Sequence, residues 1–218
     1  MEQLLFYLYH VCLLLCAAVA IIYRKHLARR HLTVLVIYLP LVFIMEVYTA
    51  IQLYVWKVPT VFVYNIYRPV NVIAFAAMYY SIPFMTHHRK LIAAITGIYL
   101  FILTIAYSLQ PSLLYSNNLY LIMARSICIT CFAVFFLLNF FLLDNQQEEQ
   151  YWQPLIWITI GIIVFYPVIS ISLGFENYLR KNNATIAGNK LYQAIPRLMS
   201  LFMYSCFIYA FYLCKKKN

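Results

Sequence analysis

The sequence predicts an all-α protein, a polytopic transmembrane bundle of seven helices. Three observations carry this. Hydrophobic residues fill 65% of the 218 positions and charged residues only 10%, whereas soluble domains are about 45–50% apolar and about 25% charged. The apolar residues fall into seven runs of about 17–27 residues, each enough to cross a hydrocarbon core about 30 Å thick at about 1.5 Å per residue. Basic residues collect between alternate runs. With the N-terminus outside, the cytoplasmic side receives Arg24, Lys25, Arg29, Arg30, Arg89, Lys90, Lys215, Lys216 and Lys217, and the outer side receives Lys57, Arg180, Lys181 and Lys190. The positive-inside rule then places the N-terminus outside and the C-terminus in the cytoplasm, in a multi-pass protein of the cytoplasmic (inner or plasma) membrane. Residues 1–218 read as a single seven-helix domain, with no internal repeat.

The first run, Leu4 to Tyr23, begins Met-Glu and ends at Arg24-Lys25. That reverses the charge order of a cleaved signal peptide, so the run is expected to stay as a helix. A basic loop to His31 leads to the second run, Leu32 to Tyr54, which contains Pro40 and Glu46. Lys57-Val58-Pro59 turns the chain into the third, Thr60 to Phe84, which holds Arg68 and Pro69 and is followed by His87-His88-Arg89-Lys90. The fourth, Leu91 to Tyr107, breaks at Gln110-Pro111-Ser112. The fifth follows Asn117-Asn118, contains Arg125 and ends near Leu143, ahead of the polar loop 144–150. The sixth, Trp152 to Gly174, includes Pro154 and Pro167; a long loop, 175–189, precedes the seventh, Lys190 to Cys214, with Pro196 and Arg197 near its start. Short connections make consecutive runs antiparallel neighbours. Glycine is scarce, 4 in all, so packing is expected to rest on Leu, Phe and Tyr rather than on small-residue motifs. The 21 tyrosines and 16 phenylalanines suit helices with interfacial ends.

The stretch Tyr64-Asn65-Ile66-Tyr67-Arg68-Pro69-Val70-Asn71 organises the rest. Tyr64, Arg68 and Asn71 lie at i, i+4 and i+7 and share a helical face, with Asn65 flanking it. Polar groups at membrane depth are costly and face the protein interior. Glu46, Arg68, Arg125 and Arg197 each sit about seven or eight residues from the outer end of their runs, so all four are expected about 10–12 Å below the outer boundary. On the seventh run Lys190, Gln193, Arg197, Ser200 and Tyr204 form one stripe. Thr49, Asn118, Tyr166 and Ser170 fall into the same layer. The candidate ligand-binding residues are Glu46, Tyr64, Asn65, Arg68, Asn71, Arg125, Gln193 and Arg197. At least one arginine is expected to contact Glu46, and the arginines beside Pro69 and Pro196 to satisfy the carbonyls those prolines free.

One carboxylate cannot neutralise three guanidinium groups, which do not deprotonate. The layer is therefore a bundle-locking polar network, a site for an anionic small molecule or lipid headgroup entering from outside, or part of an ion or proton path. The net charge of +10 is read as contact with anionic lipid and not with nucleic acid, since no soluble domain is present to carry it. Cys128 and Cys131 have CxxC spacing but stand in mid-span among apolar residues, as packing side chains. His10 reads as a packed, hydrogen-bonded residue, and His26, His31, His87 and His88 as interfacial side chains. No metal or cofactor motif and no catalytic constellation is visible. The single aspartate, Asp144, lies in a loop, which argues against aspartate-based intramembrane chemistry. The last run lacks the mid-helix lysine of a retinal protein, and the third ends Ile82-Pro83-Phe84-Met85-Thr86 without the basic triplet of G-protein-coupled receptors.

The opening of the third run, Tyr64 to Pro69, the opening of the sixth, Pro154-Leu155-Ile156-Trp157-Ile158-Thr159-Ile160-Gly161, and the short basic tail resemble a group of small bacterial seven-helix membrane proteins, akin to the membrane-embedded sensor regions of some histidine kinases. The resemblance implies a non-catalytic sensory or accessory role in a cytoplasmic membrane. No output domain follows Asn218, so signalling would pass to a separate cytoplasmic partner through the basic loops. A small organic-anion transporter or channel is the alternative. Sensing is preferred because no inverted repeat or discontinuous helix pair is visible.

Overall fold

The computed structural model describes residues 2–142, 149–182, 185–186 and 189–216. Helix α1 spans Glu2–Ile22 and the short basic α2 spans Arg24–Arg29. Helix α3, Thr33–Ile51, runs on through a π-helical turn, Gln52–Trp56. Helices α4 (Val61–Tyr80), α5 (Arg89–Leu109) and α6 (Leu119–Leu142) are linked by 3-10 turns at Pro83–His88 and Pro111–Tyr115. Helix α7 is Glu149–Gly174, α8 is Glu176–Lys181 and α9 is Leu191–Lys216. Ahead of α9, β1 (Thr185–Ile186) pairs antiparallel with β2 (Asn189–Lys190). Among the described residues seven helices are long and apolar enough to cross a membrane. The chain is a multi-pass membrane protein with an all-α bundle.

Several boundaries differ from the sequence expectation. The third span stops at Tyr80 rather than Phe84, because Pro83 forces Ile82 into an extended conformation, φ −75° and ψ 127°. The second outruns Tyr54 and closes at Lys57, which adopts left-handed φ 55°. The basic loop after the first span contains α2, held down by its fully buried Leu27. The long loop before the last span contains α8 and the strand pair. In the predicted polar loop, residues 144–148 lie outside the described residues.

Consecutive spanning helices do pack together, but two further contacts close the bundle: α9 packs against α1, and α4 against α6. The result is a ring in the order α1, α3, α4, α6, α7, α9. Helix α5 lies outside it, against α4 and α6. Its outward face is apolar, with Ile98, Phe101 and Ile102 more than half exposed. Glycine contributes at one point after all. A Cβ on Gly161 of α7 would meet the Cys206 Cβ at 3.2 Å and the Met203 backbone at 3.4 Å, so this residue sets how closely α7 and α9 approach.

The ring is closed at one end. Phe75, Phe132, Phe136, Phe207 and Phe211 fill it with at most 1% exposure, and Tyr79 pairs with Thr159 at 3.1 Å among them. At that end Arg30 donates to the Tyr151 carbonyl at 2.6 Å and its guanidinium lies 4.0 Å from the Tyr151 ring. The Tyr151 hydroxyl returns a bond to the Arg29 carbonyl at 2.6 Å. His31 stacks on Trp152, and His88 bonds to Asn139 at 3.0 Å.

Candidate functional site

At the other end the ring opens into a cavity of about 730 Å³. All six ring helices line it, and α5 does not. The four ionisable side chains expected in one layer, Glu46, Arg68, Arg125 and Arg197, all stand in its wall, with Tyr64 and Asn71. Helical rise explains the convergence. Arg68 lies seven residues into α4, Arg125 six into α6 and Arg197 six into α9, which is about 9–11 Å along each axis.

The partners differ from those predicted. The Glu46 carboxylate accepts a hydrogen bond from the Tyr64 hydroxyl at 3.2 Å, and Tyr9 of α1 lies within reach of it. Among the described residues no arginine reaches ion-pair distance of Glu46. Tyrosine hydroxyls hold the carboxylate in place of the expected guanidinium. Thr49 joins this corner, donating to the Glu46 backbone carbonyl at 2.9 Å and lying 3.3 Å from the Tyr64 hydroxyl.

Asn71 is a structural node facing the cavity. It donates to the Tyr38 hydroxyl at 2.7 Å and accepts from the Tyr166 hydroxyl at 2.8 Å, tying α4 to α3 and α7. Asn65 does not line the cavity. It is fully buried, and its amide donates to the carbonyls of Leu113, Leu114 and Ser116 at 2.8–3.2 Å, clamping the turn before α6. Asn118 caps α6 by accepting from the Leu121 amide at 3.2 Å. The Asn65 carbonyl freed by Pro69 receives the Tyr107 hydroxyl at 3.5 Å, so a tyrosine of α5 does what was expected of an arginine. The Gln193 side chain lies outside the described ones.

Two guanidinium groups are left with donors to spare. Arg68 is 3% exposed, and its Nη1 is buried without a hydrogen-bond partner among the described residues. The same holds for Nε of Arg125, whose guanidinium lies 5.7 Å from the Tyr166 ring. The two stand close enough to repel each other. The Arg197 guanidinium lies over the Phe6 ring at 5.4 Å.

Tyrosines build the remaining wall. Tyr38, Tyr67, Tyr166 and Tyr204 line the cavity and are at most 9% exposed. Tyr38 and Tyr67 stack with centroids 6.2 Å apart. The sequence put Tyr166 and Tyr204 in the polar layer and Tyr67 in the stretch that organises it, but gave neither Tyr38 nor Tyr67 a place in the site. Their signal was position, since Tyr67 adjoins Arg68, and Tyr38 lies two turns before Glu46. Cys128 and Cys131 are half-buried free thiols in α6. His10, whose Nδ1 donates to the Phe6 carbonyl at 2.9 Å, lines the cavity from α1.

A wall of this composition can hold an organic anion: charge-assisted donors on one side, hydroxyls around them and aromatic faces for an apolar body. No model of a known protein family matches this chain, and no curated protein or solved structure matches it.

Proposed function

We propose that the protein is a non-catalytic sensor or signalling component of a cytoplasmic membrane, whose cavity binds a water-soluble organic anion. The observation that carries this is the pair Arg68 and Arg125, two like-charged neighbours in one cavity wall, each with a buried donor that no described residue accepts. Buried cations are paired or their fold loses stability. A carboxylate or phosphate between them would accept both donors and cancel the repulsion.

Two features favour an aqueous ligand that binds without crossing. Tyr54, Thr60, Asn117, Gly174 and Glu176, all at helix ends, line the cavity, which favours entry from water. Beyond Asn71 the fully buried phenylalanines block the way onward. The mouth is assigned to the outer face because Arg24, Lys25, Arg29, Arg30, Arg89, Lys90 and Lys215 gather at the closed end. That basic end would meet anionic lipid and a cytoplasmic partner.

The test is binding and flux on one preparation. Calorimetry on the purified chain in nanodiscs, against a panel of carboxylates and organic phosphates, is expected to find saturable binding, lost in Arg68→Gln and Arg125→Gln while both variants stay folded. Lysine at either position is expected to rescue only partly, because it lacks the planar fork. Proteoliposomes should show no uptake of the bound anion. Saturable uptake would replace sensing with transport, and undiminished binding in both variants would remove the arginines from the site.

A further inference from the structure

The cavity wall carries unmatched donors on one pair of helices and spare acceptors on another. Helices α4 and α6 present donors, Arg68 and Arg125, each with a buried nitrogen that no described residue accepts. Helices α1 and α3 pack together and present acceptors. Glu46 uses two of its roughly four lone-pair sites, on Tyr64 and Tyr9, and meets no described arginine. His10 donates through Nδ1 to a carbonyl, which leaves Nε2 of the neutral ring as an acceptor, and Nε2 is buried without a partner among the described residues. A bare anion would satisfy the first pair and leave the second unused.

We infer that the molecule this cavity takes is zwitterionic, an organic acid that also carries an amine, with its acid group at Arg68 and Arg125 and its ammonium at Glu46 and His10. The inference rests on the anion-binding reading above and names its ligand class. Among the described residues Glu46 and His10 are not paired with Arg68 or Arg125, so each remains available to the matching end of one ligand. The ammonium supplies three donors, which Glu46 and His10 share. Tyr38 and Tyr67, stacked in the same wall, offer aromatic faces to the apolar middle.

The test uses probes of matched length on the full chain in nanodiscs: 6-aminohexanoate, hexanoate and hexylamine, with 4-aminobutyrate and 8-aminooctanoate to vary the span. The best of the three amino acids is expected to bind about tenfold or more tighter than hexanoate, the size of one charge-assisted hydrogen bond. Glu46→Gln should bring that amino acid and hexanoate within about twofold of each other, and Arg125→Gln should weaken both. Hexanoate binding as tightly as every amino acid overturns the zwitterion and leaves the anion site standing. Binding of hexylamine alone, or of none of the probes, overturns both. The ratio in the parent chain needs no variant, so a Glu46→Gln chain that fails to fold does not rescue the idea.

Discussion

Along the ring axis, the residues just before and just after Asn71 on α4 live in different environments. On the closed side, Phe75 and Tyr79 sit among Phe132, Phe136, Phe207 and Phe211, and the Tyr79 hydroxyl is matched by Thr159. On the open side, Tyr64, Tyr67, Arg68, Glu46 and Arg125 line a cavity, with polar atoms left over at Tyr67, Arg68 and Arg125. The same six helices build both halves. In a bilayer, lipid tails are as apolar as a core, so helices associate through close packing and satisfied polar groups rather than through escape from water. The closed half has both. The open half leaves a cavity in place of close packing, and buried nitrogens of Arg68 and Arg125 find no acceptor there among the described residues.

This contrast can be broken first from the closed side. Phe207→Ala opens a void in the fullest layer and is expected to cost about 3–5 kcal/mol, read by steric trapping or denaturant unfolding in a bicelle. A cost below about 1 kcal/mol would mean that half is not the stabilising one. Next comes the boundary. Asn71→Leu leaves the Tyr38 and Tyr166 hydroxyls without their shared partner and is expected to cost about 1–3 kcal/mol, while Asn71→Asp, which still accepts from Tyr166, should cost less. Within the open half, Glu46→Gln is expected to cost less than about 1 kcal/mol, because the amide oxygen can still accept from Tyr64. Loss of about 3–5 kcal/mol would instead indicate a hidden ion pair. The smallest effect belongs to α5. Phe101→Ala, at 66% exposure outside the ring, is expected to stay within about 0.5 kcal/mol of the parent in the same assay.

The sequence by itself determined the number of spanning helices, their approximate limits and the depth of their charges. These are one-dimensional quantities: a run of apolar residues has a length, and a charge has a distance from the end of its run. That is why Glu46, Arg68, Arg125 and Arg197 were legible as one layer before any helix was placed. Partners were not legible. Asn65 and Asn71 are six residues apart and both polar, yet one clamps a turn and the other faces the cavity, because helix rotation separates them. Only the tertiary structure decided that α9 meets α1 and α4 meets α6, and those contacts close the ring and leave α5 outside. They also bring Tyr9 and Tyr64 to Glu46 and keep the described arginines from it. Depth along a helix follows from counting residues, but which side chains meet at that depth depends on which helices touch and how each is turned, and chain order fixes neither.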